Sequence, residues 1–365
     1  MTSNPSARRL RIGIDAHAIG ERAAGNERFI ANVARELREI CDHELVLFFT
    51  DRRTADRWPD WHSWVIRPRS AWLRIPLSFP VATRMEGLDV LLVQYAAPRW
   101  PGCPVVTVVH DVSFAEHPGW FSPTERLWMR RVIPATMRRA AKIVTVSEFS
   151  KSEICRIYGL EPGRIVVAYD GVDPSLLMSR PAPGGGSYFL AVGNVEPRKN
   201  LGVLLDAFSL LRTRRPEERL VIAGRTKRGS REQAADGVSW LGYVPDEDLA
   251  ALMQHAVALC YPSLYEGFGL PAIEAMSCGT PALVSDIPVM QEVCGEAAVL
   301  LSPTDPAVWA DAMERIARDD GYRSAQAERG KERAAAFTWK RAAEVVLEAL
   351  EAAARGARGT RASRR

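Results

Sequence analysis

The chain has 365 residues, of which 47% are hydrophobic and 25% charged, and its formal net charge is +4. This composition is typical of a globular protein with room for two domains. The small charge, without a concentrated basic stripe, argues against a nucleic-acid-binding protein. No run approaches the roughly 20 apolar residues of a membrane span, and the start of the chain lacks an apolar signal region. The six cysteines are scattered, without metal-ligand spacing, so we expect free thiols in a cytoplasmic protein.

Short β-branched runs recur along the chain, and each is followed by a helical pattern. The runs are LRIGID, LVLFF, DVLLVQ, PVVTVVH, KIVTVS and RIVVAY in the first half, and YFLAVG, RLVIAG, VSWLG, VALCYP, PALVS and AAVLL in the second. Near-continuous apolar strands that alternate with helices are typical of parallel sheets covered on both faces. The sequence therefore predicts an α/β protein. Its helical patterns cover 29–40, 147–158, 201–211, 246–255 and 336–353.

The segment SRPAPGGGS at 179–187 separates the two halves, because its prolines and glycines are typical of a linker. We therefore predict two doubly wound domains, 1–178 and 188–335. In such sheets ligands bind beyond the carboxyl ends of the strands, which would place a ligand in the cleft between the domains. A helix at 336–356 could cap the second domain or return to the first. The basic tail 357–365 lacks apolar residues and is predicted to be disordered.

The stretch YEGFGLPAIEAM carries two glutamates, Glu266 and Glu274, around a glycine loop. A buried strand precedes the loop, and Pro271 lies where a helix begins. A strand, a glycine loop and a helix N-terminus together present backbone N–H groups to an anion. Glu274, one turn into the helix, could accept hydrogen bonds from sugar hydroxyls. Alternatively, Glu274 only complements the helix dipole and Glu266 is a solvated loop residue.

The stretch LAVGNVEPRKNL places Arg198 and Lys199 after the first strand of the second domain. Two cations beside a helix N-terminus suit a diphosphate, and dinucleotide-binding folds also place phosphate at this turn. The alternative is an ordinary charged turn. Neither glycine turn has the Gly-x-Gly-x-x-Gly spacing, and no Walker lysine motif is present, which weakens dehydrogenase and P-loop interpretations.

Two further polar features have ordinary structural alternatives. His110 ends the strand PVVTVVH, where it could be a catalytic group or a satisfied core histidine. Asp246 and Asp248 form an Asp-x-Asp, but they precede the helical pattern LAALMQHA, so we expect a helix cap with an acidic first turn. We therefore predict no catalytic metal.

Together, VGNVEPRKN and LYEGFGLPAIEAMSCGTPAL resemble the motifs of the family 4 glycosyltransferases. The resemblance extends to GIDAHAIG, GNERFI, TVVHDVSFAEHPGWFSP, IVTVSEFSKSEI and DGVDP, and so covers nearly the whole chain. It implies the GT-B fold, in which two Rossmann-like domains face each other across a cleft. It also implies a retaining reaction that uses a nucleotide sugar as co-substrate and no further cofactor.

The resemblance also implies roles for residues at matching positions. Arg198 and Lys199 would hold the donor diphosphate and stabilise the leaving group. Glu266 would contact the transferred sugar and Glu274 the ribose hydroxyls, while His110 would lie near the donor sugar at the reaction centre. From the sequence, we expect Lys199→Ala to lower turnover far more than it perturbs folding. Donor contacts are further implied for a turn at Gly25 and Asn26, which would close over the phosphates, and for Gly193, Asn194, Gly267, Phe268, Gly269 and Leu270.

The resulting hypothesis is a metal-independent hexosyltransferase acting on a glycan or lipid-linked glycan in surface polysaccharide biosynthesis. The first candidate for the donor is GDP-mannose, from which mannose would be transferred. UDP-sugars are the alternative donors, because no residue in GFGLPAIE is predicted to recognise the nucleotide base. A nucleotide-sugar epimerase of the same fold and a non-catalytic sugar-nucleotide-binding scaffold are the alternatives.

The segment 126–142 combines six basic residues and no acidic ones with Trp, Met and Ile. This pattern is typical of a peripheral contact with a membrane, here the inner membrane surface, which would suit a lipid-linked acceptor. Pro134 interrupts it, and the alternative is an ordinary helix whose arginine stems cover its sides.

Overall fold

The structure, a computed structural model, covers residues 8–20, 25–178, 181, 187–225 and 235–362, with side chains as far as residue 357. The chain forms two compact units, one of Met1–Asp170 with Trp339–Arg365 and the other of Gly171–Thr338. Each contains a parallel sheet with helices, so the predicted α/β class is confirmed. No helix in the covered ranges is long and apolar enough to cross a bilayer. All six cysteines are free thiols.

In its described residues, the first unit has seven parallel strands, which are joined mostly by helices. The strands are β1 (Arg11–Asp15), β2 (Glu44–Phe49), β3 (His62–Val65), β4 (Val90–Gln94), β5 (Val105–Val108), β6 (Lys142–Thr145) and β7 (Ile165–Val167). They lie in the order β3-β2-β1-β4-β5-β6-β7. The helices are α1 (Gly25–Ile40), α2 (Arg52–Ala55), α3 (Ala71–Leu73), α4 (Phe79–Met85), α5 (Ser113–Glu116), α6 (Pro123–Arg139) and α7 (Glu148–Tyr158), with a π-helical turn at Arg74–Ser78.

The second unit is built on six parallel strands in the order β10-β9-β8-β11-β12-β13. These are β8 (Phe189–Val192), β9 (Leu220–Ala223), β10 (Val238–Gly242), β11 (Ala258–Tyr261), β12 (Ala282–Ser285) and β13 (Val299–Leu301). The helices are α8 (Leu201–Arg214), α9 (Asp246–His255), α10 (Leu270–Ser277), α11 (Pro288–Val293), α12 (Pro306–Arg318) and α13 (Asp320–Ala334). Large side chains such as Phe208 on α8 and Trp309 on α12 pack over Phe189 and close one face of the sheet.

Strand β3 is the one strand that the apolar runs did not predict. Its residues are His-Ser-Trp-Val, and none of the four is fully buried. It lies at the edge of its sheet and pairs only with β2 among the described strands. An edge strand is covered less completely than a central one, so it needs no continuous apolar run.

The boundary between the units lies earlier than the predicted linker. The chain divides between Asp170 and Gly171. Residues Pro174–Leu177 form a 3₁₀ turn, and the side-chain amide of Gln254 on α9 donates hydrogen bonds to the carbonyls of Leu176 and Met178 at 2.7 Å each. These bonds attach the segment to the second unit. The predicted linker 179–187 lies outside the described residues except at positions 181 and 187.

The last helix, α14 (Trp339–Ala362), belongs to the first unit. It packs against α1 and against β4, β5 and β6. Trp339, Val346 and Leu350 lie on its buried face, at the spacing of a helical stripe. The helix continues to Ala362, so residues 357–362 extend it instead of forming the predicted disordered tail.

Two glycines shape the turn that follows β8. Gly193 has φ = 142°, and a β-carbon there would lie 3.0 Å from Cε of Lys199. A β-carbon at Gly224, after the neighbouring strand β9, would lie 1.8 Å from the carbonyl oxygen of Gly193. Since that oxygen belongs to the backbone, it cannot move aside as a flexible side chain can. The close approach therefore requires glycine at position 224.

We expect Gly224→Ala to lower the free energy of unfolding by about 2 kcal/mol, because the added methyl group displaces the Gly193 backbone. Denaturant unfolding monitored by circular dichroism measures the change. Gly202→Ala is the matched control, since a β-carbon at Gly202 on α8 meets nothing within 4 Å. Alanine inside a helix should leave stability unchanged or raise it. Equal losses in the two variants would contradict this explanation.

Candidate active site

The candidate site lies where the strand order of the second sheet reverses direction. Strands β8 and β11 are neighbours there, although β9 and β10 separate them in sequence. In doubly wound sheets ligands bind outside the carboxyl ends of the strands at this position. The loop after β8 carries Arg198 and Lys199, and the loop after β11 carries Glu266. The topology therefore brings together three residues that the sequence placed in two separate motifs.

The turn after β8 positions its two cations through a 3₁₀ segment, Pro197–Lys199. Asn200 ends this segment in the left-handed conformation, with φ = 52°, and α8 begins at the next residue. Asparagine tolerates this conformation better than most residues. Its side-chain amide donates a hydrogen bond of 2.7 Å to the carbonyl of Pro303, which fixes the turn against the loop after β13.

Glu266 accepts hydrogen bonds from both cations. Lys199 Nζ lies 2.6 Å from its Oε1, and Arg198 Nη1 lies 2.8 Å from its Oε2. Nε of Arg198 also donates to Oε2 of Glu196 at 3.1 Å. The two loops are joined through the backbone as well, because the N–H of Leu264 donates to the carbonyl of Arg198 at 2.8 Å. Side chains and backbone thus fix the loops in one arrangement.

Tyr261, the last residue of β11, holds the ammonium of Lys199 from a second direction. Its hydroxyl accepts a hydrogen bond of 2.6 Å from Lys199 Nζ, which lies 4.6 Å from the centre of the aromatic ring. Burial and the neighbouring Glu266 raise the pKa of the Tyr261 phenol well above its usual value, so the hydroxyl stays protonated. This residue was not predicted. The sequence shows that it ends a buried strand, but not that this strand neighbours β8.

The three charged groups stabilise one another's ionised forms. Burial alone would raise the pKa of the Glu266 carboxyl, but the charges of Arg198 and Lys199 outweigh it and lower that pKa to about 2. Burial lowers the pKa of the Lys199 ammonium, and the attraction of Glu266 opposes this shift. A buried carboxylate that accepts two charge-assisted hydrogen bonds is ionised at neutral pH. The alternative interpretation of the sequence, in which Glu266 is a solvated loop residue, is therefore wrong.

The cations differ in what they offer a ligand. The side chain of Lys199 is only 9% exposed, whereas that of Arg198 is 29% exposed. Counted with Glu196 and Glu266, the two cations give a formal charge of zero. An anionic ligand therefore competes with these carboxylates for hydrogen bonds. Arg198, with a partly exposed planar guanidinium, is the group that such a ligand reaches first.

The glycine loop after β11 leads directly into α10. Gly269 has φ = 96°, and a β-carbon there would lie 2.2 Å from Cε of Met290. Phe268 is buried and packs edge to face on Phe337, with ring centroids 5.4 Å apart. Its side chain therefore anchors the loop. Gly267 and, from Leu270, the first turn of α10 follow Glu266 in the chain.

Glu274 lies in the second turn of α10 and is 2% exposed. The predicted helix and its start at the glycine loop are confirmed. A carboxylate buried this deeply requires polar partners. Asn194, in the turn after β8, accepts a hydrogen bond of 3.2 Å from the N–H of Arg225 with its side-chain oxygen. The donor contacts predicted for Glu274 and Asn194 remain predictions.

His110 lies in the first unit, just beyond β5, and is 7% exposed. Its Nε2 is 3.0 Å from Oε1 of Gln94 at the end of β4, and its ring packs edge to face on Phe29 at 5.1 Å. Ser150 donates a hydrogen bond of 2.9 Å to its backbone carbonyl. Burial lowers the pKa of His110 to about 4, so its imidazole is neutral at neutral pH. Any role of His110 in catalysis is therefore the role of a neutral imidazole.

The predicted Gly25–Asn26 turn has a different structure. Both residues belong to α1, of which Gly25 is the first residue. They present a helix N-terminus instead of a glycine turn, and residues 21–24 before them lie outside the described part of the chain. A pair at the end of β1 was not predicted, in which Nδ1 of His17 lies 3.0 Å from Oδ1 of the buried Asp15. The strand end in GIDAHAIG was the signal.

The acidic first turn predicted for the Asp-x-Asp sequence is confirmed, whereas the predicted capping role is wrong. Asp246 and Asp248 lie in the first turn of α9, and Pro245 occupies the capping position before it. Acidic residues are favourable at this end of a helix. Among the residues that the structure describes, no group of three or more His, Cys, Asp or Glu is arranged to hold a metal ion.

Two protein families match the two units separately. Residues 23–176 match the family described as Glycosyltransferase Family 4. Residues 178–333 match the family described as Glycosyl transferases group 1. The second range contains Arg198, Lys199, Glu266 and Glu274, and the first contains His110.

Relatives and solved structures are similar to the chain over most of its length. O-antigen chain mannosyltransferase B of Escherichia coli is 34% identical over 261 residues, which cover 64% of this chain and 67% of the relative. O-antigen chain mannosyltransferase RfbU of Salmonella typhimurium is 32% identical over 222 residues, which cover 57% of this chain and 59% of the relative. The structure of sucrose-phosphate synthase from Thermosynechococcus elongatus has a TM-score of 0.74 at 20% identity and covers 93% of this chain and 98% of that protein.

The burial of Lys199 changes what its removal should do. We expect Lys199→Ala to lower the free energy of unfolding by about 3 kcal/mol, because Glu266 stays buried and loses one of its two cations. Adding Glu266→Gln should recover most of this loss. Denaturant unfolding of the single and double variants measures the coupling.

Arg214→Ala provides a control, since Arg214 pairs with Asp311 and Glu314 on the exposed surface of α8. Its loss should be a small fraction of that for Lys199→Ala. If Lys199→Ala unfolded like the wild type, the ion pair with Glu266 would carry no stability, and the expectation from the sequence would hold instead.

Proposed function

The chain belongs to the family 4 glycosyltransferases, and we propose that it transfers a hexose from a nucleotide diphosphate sugar to a hydroxyl of a glycan or lipid-linked glycan. Mannose from GDP-mannose is the proposed donor. The proposed reaction retains the configuration of the sugar and needs no metal ion. Its proposed setting is the biosynthesis of a surface polysaccharide, in the cytoplasm.

The observation that carries the proposal is the meeting of Arg198, Lys199 and Glu266 beside the start of α10. A nucleotide diphosphate sugar contains a diphosphate, which needs cations, and a sugar and a ribose, whose hydroxyls need acceptors. The site offers two cations and the carboxylate of Glu266, and we assign the second carboxylate to Glu274 on α10. This set matches the donor better than it matches a ligand with a single charged group.

The same residues support the chemistry of transfer. Breaking the bond between the sugar carbon and the phosphate oxygen leaves the bonding electrons on the diphosphate and positive character on the sugar. Arg198 and Lys199 can stabilise the departing negative charge without a metal. The acceptor hydroxyl oxygen forms the new bond to the sugar carbon, and its proton passes to an oxygen of the leaving phosphate. Attack from the face that the phosphate leaves would retain the configuration.

Positions and burial suggest how the work is divided. Arg198 is the accessible cation and would bind the diphosphate as the sugar departs. Lys199, held by Tyr261 and Glu266, would add fixed positive charge beneath it. Glu266 would exchange part of its hydrogen bonding for a sugar hydroxyl, and Glu274 would accept from the ribose. The neutral His110 would serve as a hydrogen-bonding group of the first unit.

The choice of mannose rests on the relatives. The relatives from Escherichia coli and Salmonella typhimurium are both O-antigen chain mannosyltransferases by name. No described residue discriminates one nucleotide base from another on geometry, so the donor has to be tested directly.

A thermal-shift screen against GDP-, UDP-, ADP- and dTDP-sugars tests the donor. We expect GDP-mannose to raise the midpoint of unfolding most, since a ligand that binds only the folded state stabilises it. The shift should persist with a chelator, and nuclear magnetic resonance of the product should show retention. A larger shift with a UDP-sugar would overturn the choice of donor. Donor turnover without acceptor that yields a new nucleotide sugar would favour an epimerase, and binding without any turnover would favour a scaffold.

Two variants separate the assigned roles. Arg198→Gln should lower kcat by about 100-fold, because the cation acts on charge that develops in the transition state. Glu274→Gln should instead raise the donor KM by about tenfold with a smaller effect on kcat, because a ribose contact is the same in ground and transition states. Steady-state kinetics of both variants measure the split.

The surface variant Arg214→Gln is the control for Arg198→Gln and should keep wild-type kinetics. A fall of kcat without a change of KM in Glu274→Gln would assign Glu274 a chemical role and contradict ribose binding.

A further inference from the structure

The first unit carries an exposed row of apolar side chains that its fold does not use. Thirteen large hydrophobic side chains are exposed in the described part of the chain, and five of them lie between residues 71 and 85. We call these five the apolar stripe: Trp72, Leu73, Leu77, Val81 and Met85, which are 65%, 50%, 61%, 55% and 68% exposed. The last four are spaced four residues apart, so they follow one side of the helical run formed by α3, the π-helical turn and α4.

The other side of the same run is packed. Phe79 and Ala82 lie in the core of the unit with residues of β2 and β4, and Phe79 meets Phe48 with ring centroids 5.4 Å apart. The run is therefore fixed in place by its inner face, and its outer face is apolar as well. Contiguous apolar surface of this kind marks an interaction site in soluble proteins.

The charges around the apolar stripe are positive. Residues 61–85 contain four arginines and no aspartate or glutamate. Arg67 and Arg84 are exposed, whereas Arg74 is buried. Arg69 is also exposed and is paired with Asp51.

A second exposed tryptophan lies on the loop after β4, and this loop contacts the same helical run. The hydroxyl of Thr83 on α4 donates a hydrogen bond of 2.9 Å to the carbonyl of Pro101, so the loop after β4 lies against the helix. This loop presents Trp100, which is 61% exposed, with the guanidinium of Arg99 4.7 Å from its ring centre. Tryptophan beside arginine extends the pattern of an apolar face bordered by cations.

We propose that the apolar stripe and Trp100 bind the surface of a lipid bilayer that contains anionic headgroups. An interfacial helix lies in the plane of the membrane with Trp and Leu toward the acyl chains and basic residues at the headgroups. Arg67, Arg84 and Arg99 are exposed and would meet lipid phosphates, whose negative charge complements theirs.

The segment 126–142, from which the sequence predicted membrane contact, lacks an apolar face of this kind. Ile133 and Met137 of α6 are buried in the core of the first unit. Leu127, 52% exposed, is its one large hydrophobic side chain that is exposed in the described structure. This packing of α6 favours the alternative of an ordinary helix. The structure therefore moves the candidate membrane contact from α6 to the segment of α3 and α4.

Flotation of the full chain with vesicles tests the proposal without any turnover, so its outcome is independent of the proposed function. We expect binding to vesicles that contain phosphatidylglycerol and weak binding to phosphatidylcholine alone. The double variant Trp72→Ser with Leu77→Ser should weaken binding by at least about tenfold, because two exposed apolar side chains no longer enter the bilayer. Arg84→Gln with Arg99→Gln should weaken binding to the anionic vesicles only.

Leu127→Ser with Leu210→Ser is the matched control, since both leucines are exposed elsewhere, at 52% and 41%. It should bind like the wild type, and circular dichroism should show all variants folded. Failure of the wild type to bind anionic vesicles, or an equal loss in the control, would overturn the proposal. A wild-type dimer that the double variant converts to a monomer, with vesicle binding unchanged, would assign the apolar stripe to self-association instead.

Discussion

The second unit depends on one buried carboxylate and the cations that hold it. Glu266 is 6% exposed, and a charge at that depth is tolerated only with partners of opposite sign and good geometry. Lys199 and Arg198 provide them from a loop more than sixty residues earlier in the chain. The ion pairs therefore fix the two loops that follow β8 and β11, and the absence of a side chain at Gly193 leaves room for the lysine. The arrangement of the two loops therefore follows from the need to neutralise the charge of Glu266.

The same constraint means that binding and stability share their interactions. The cations that suit a diphosphate are already occupied by Glu196 and Glu266, so a ligand exchanges one set of ion pairs for another and gains only the difference. Lys199 is too deeply placed to leave Glu266 without a large loss. Arg198 is more exposed and exchanges partners at lower cost. Arg198 and Lys199 are adjacent and carry the same charge, but they differ in their roles because Lys199 is buried more deeply.

Much of this arrangement could be predicted because parallel strands end at the same edge of a sheet. The apolar runs located β8 and β11. The end of β8 is followed by Arg198 and Lys199, and the end of β11 is followed by Glu266 and Glu274. The direct contact of Glu266 with Lys199 could not be predicted, since it depends on β8 and β11 being neighbours. Nor could the role of Tyr261, whose hydroxyl is informative only beside Lys199. The edge strand β3 lacks an apolar run, and the segment after Gly171 is attached to the second unit by hydrogen bonds from Gln254, a residue distant in sequence.

The return of α14 to the first unit has a consequence for the order in which the protein is made. The second unit is one continuous segment, and its two ends run side by side, where Val172 and Thr338 form a bridge. The first unit, in contrast, needs Val346 and Leu350 to cover its sheet, and these residues leave the ribosome after the whole of the second unit. Domains generally fold as units during synthesis. The first unit therefore starts first and finishes last, with an apolar sheet face uncovered until translation has passed α14.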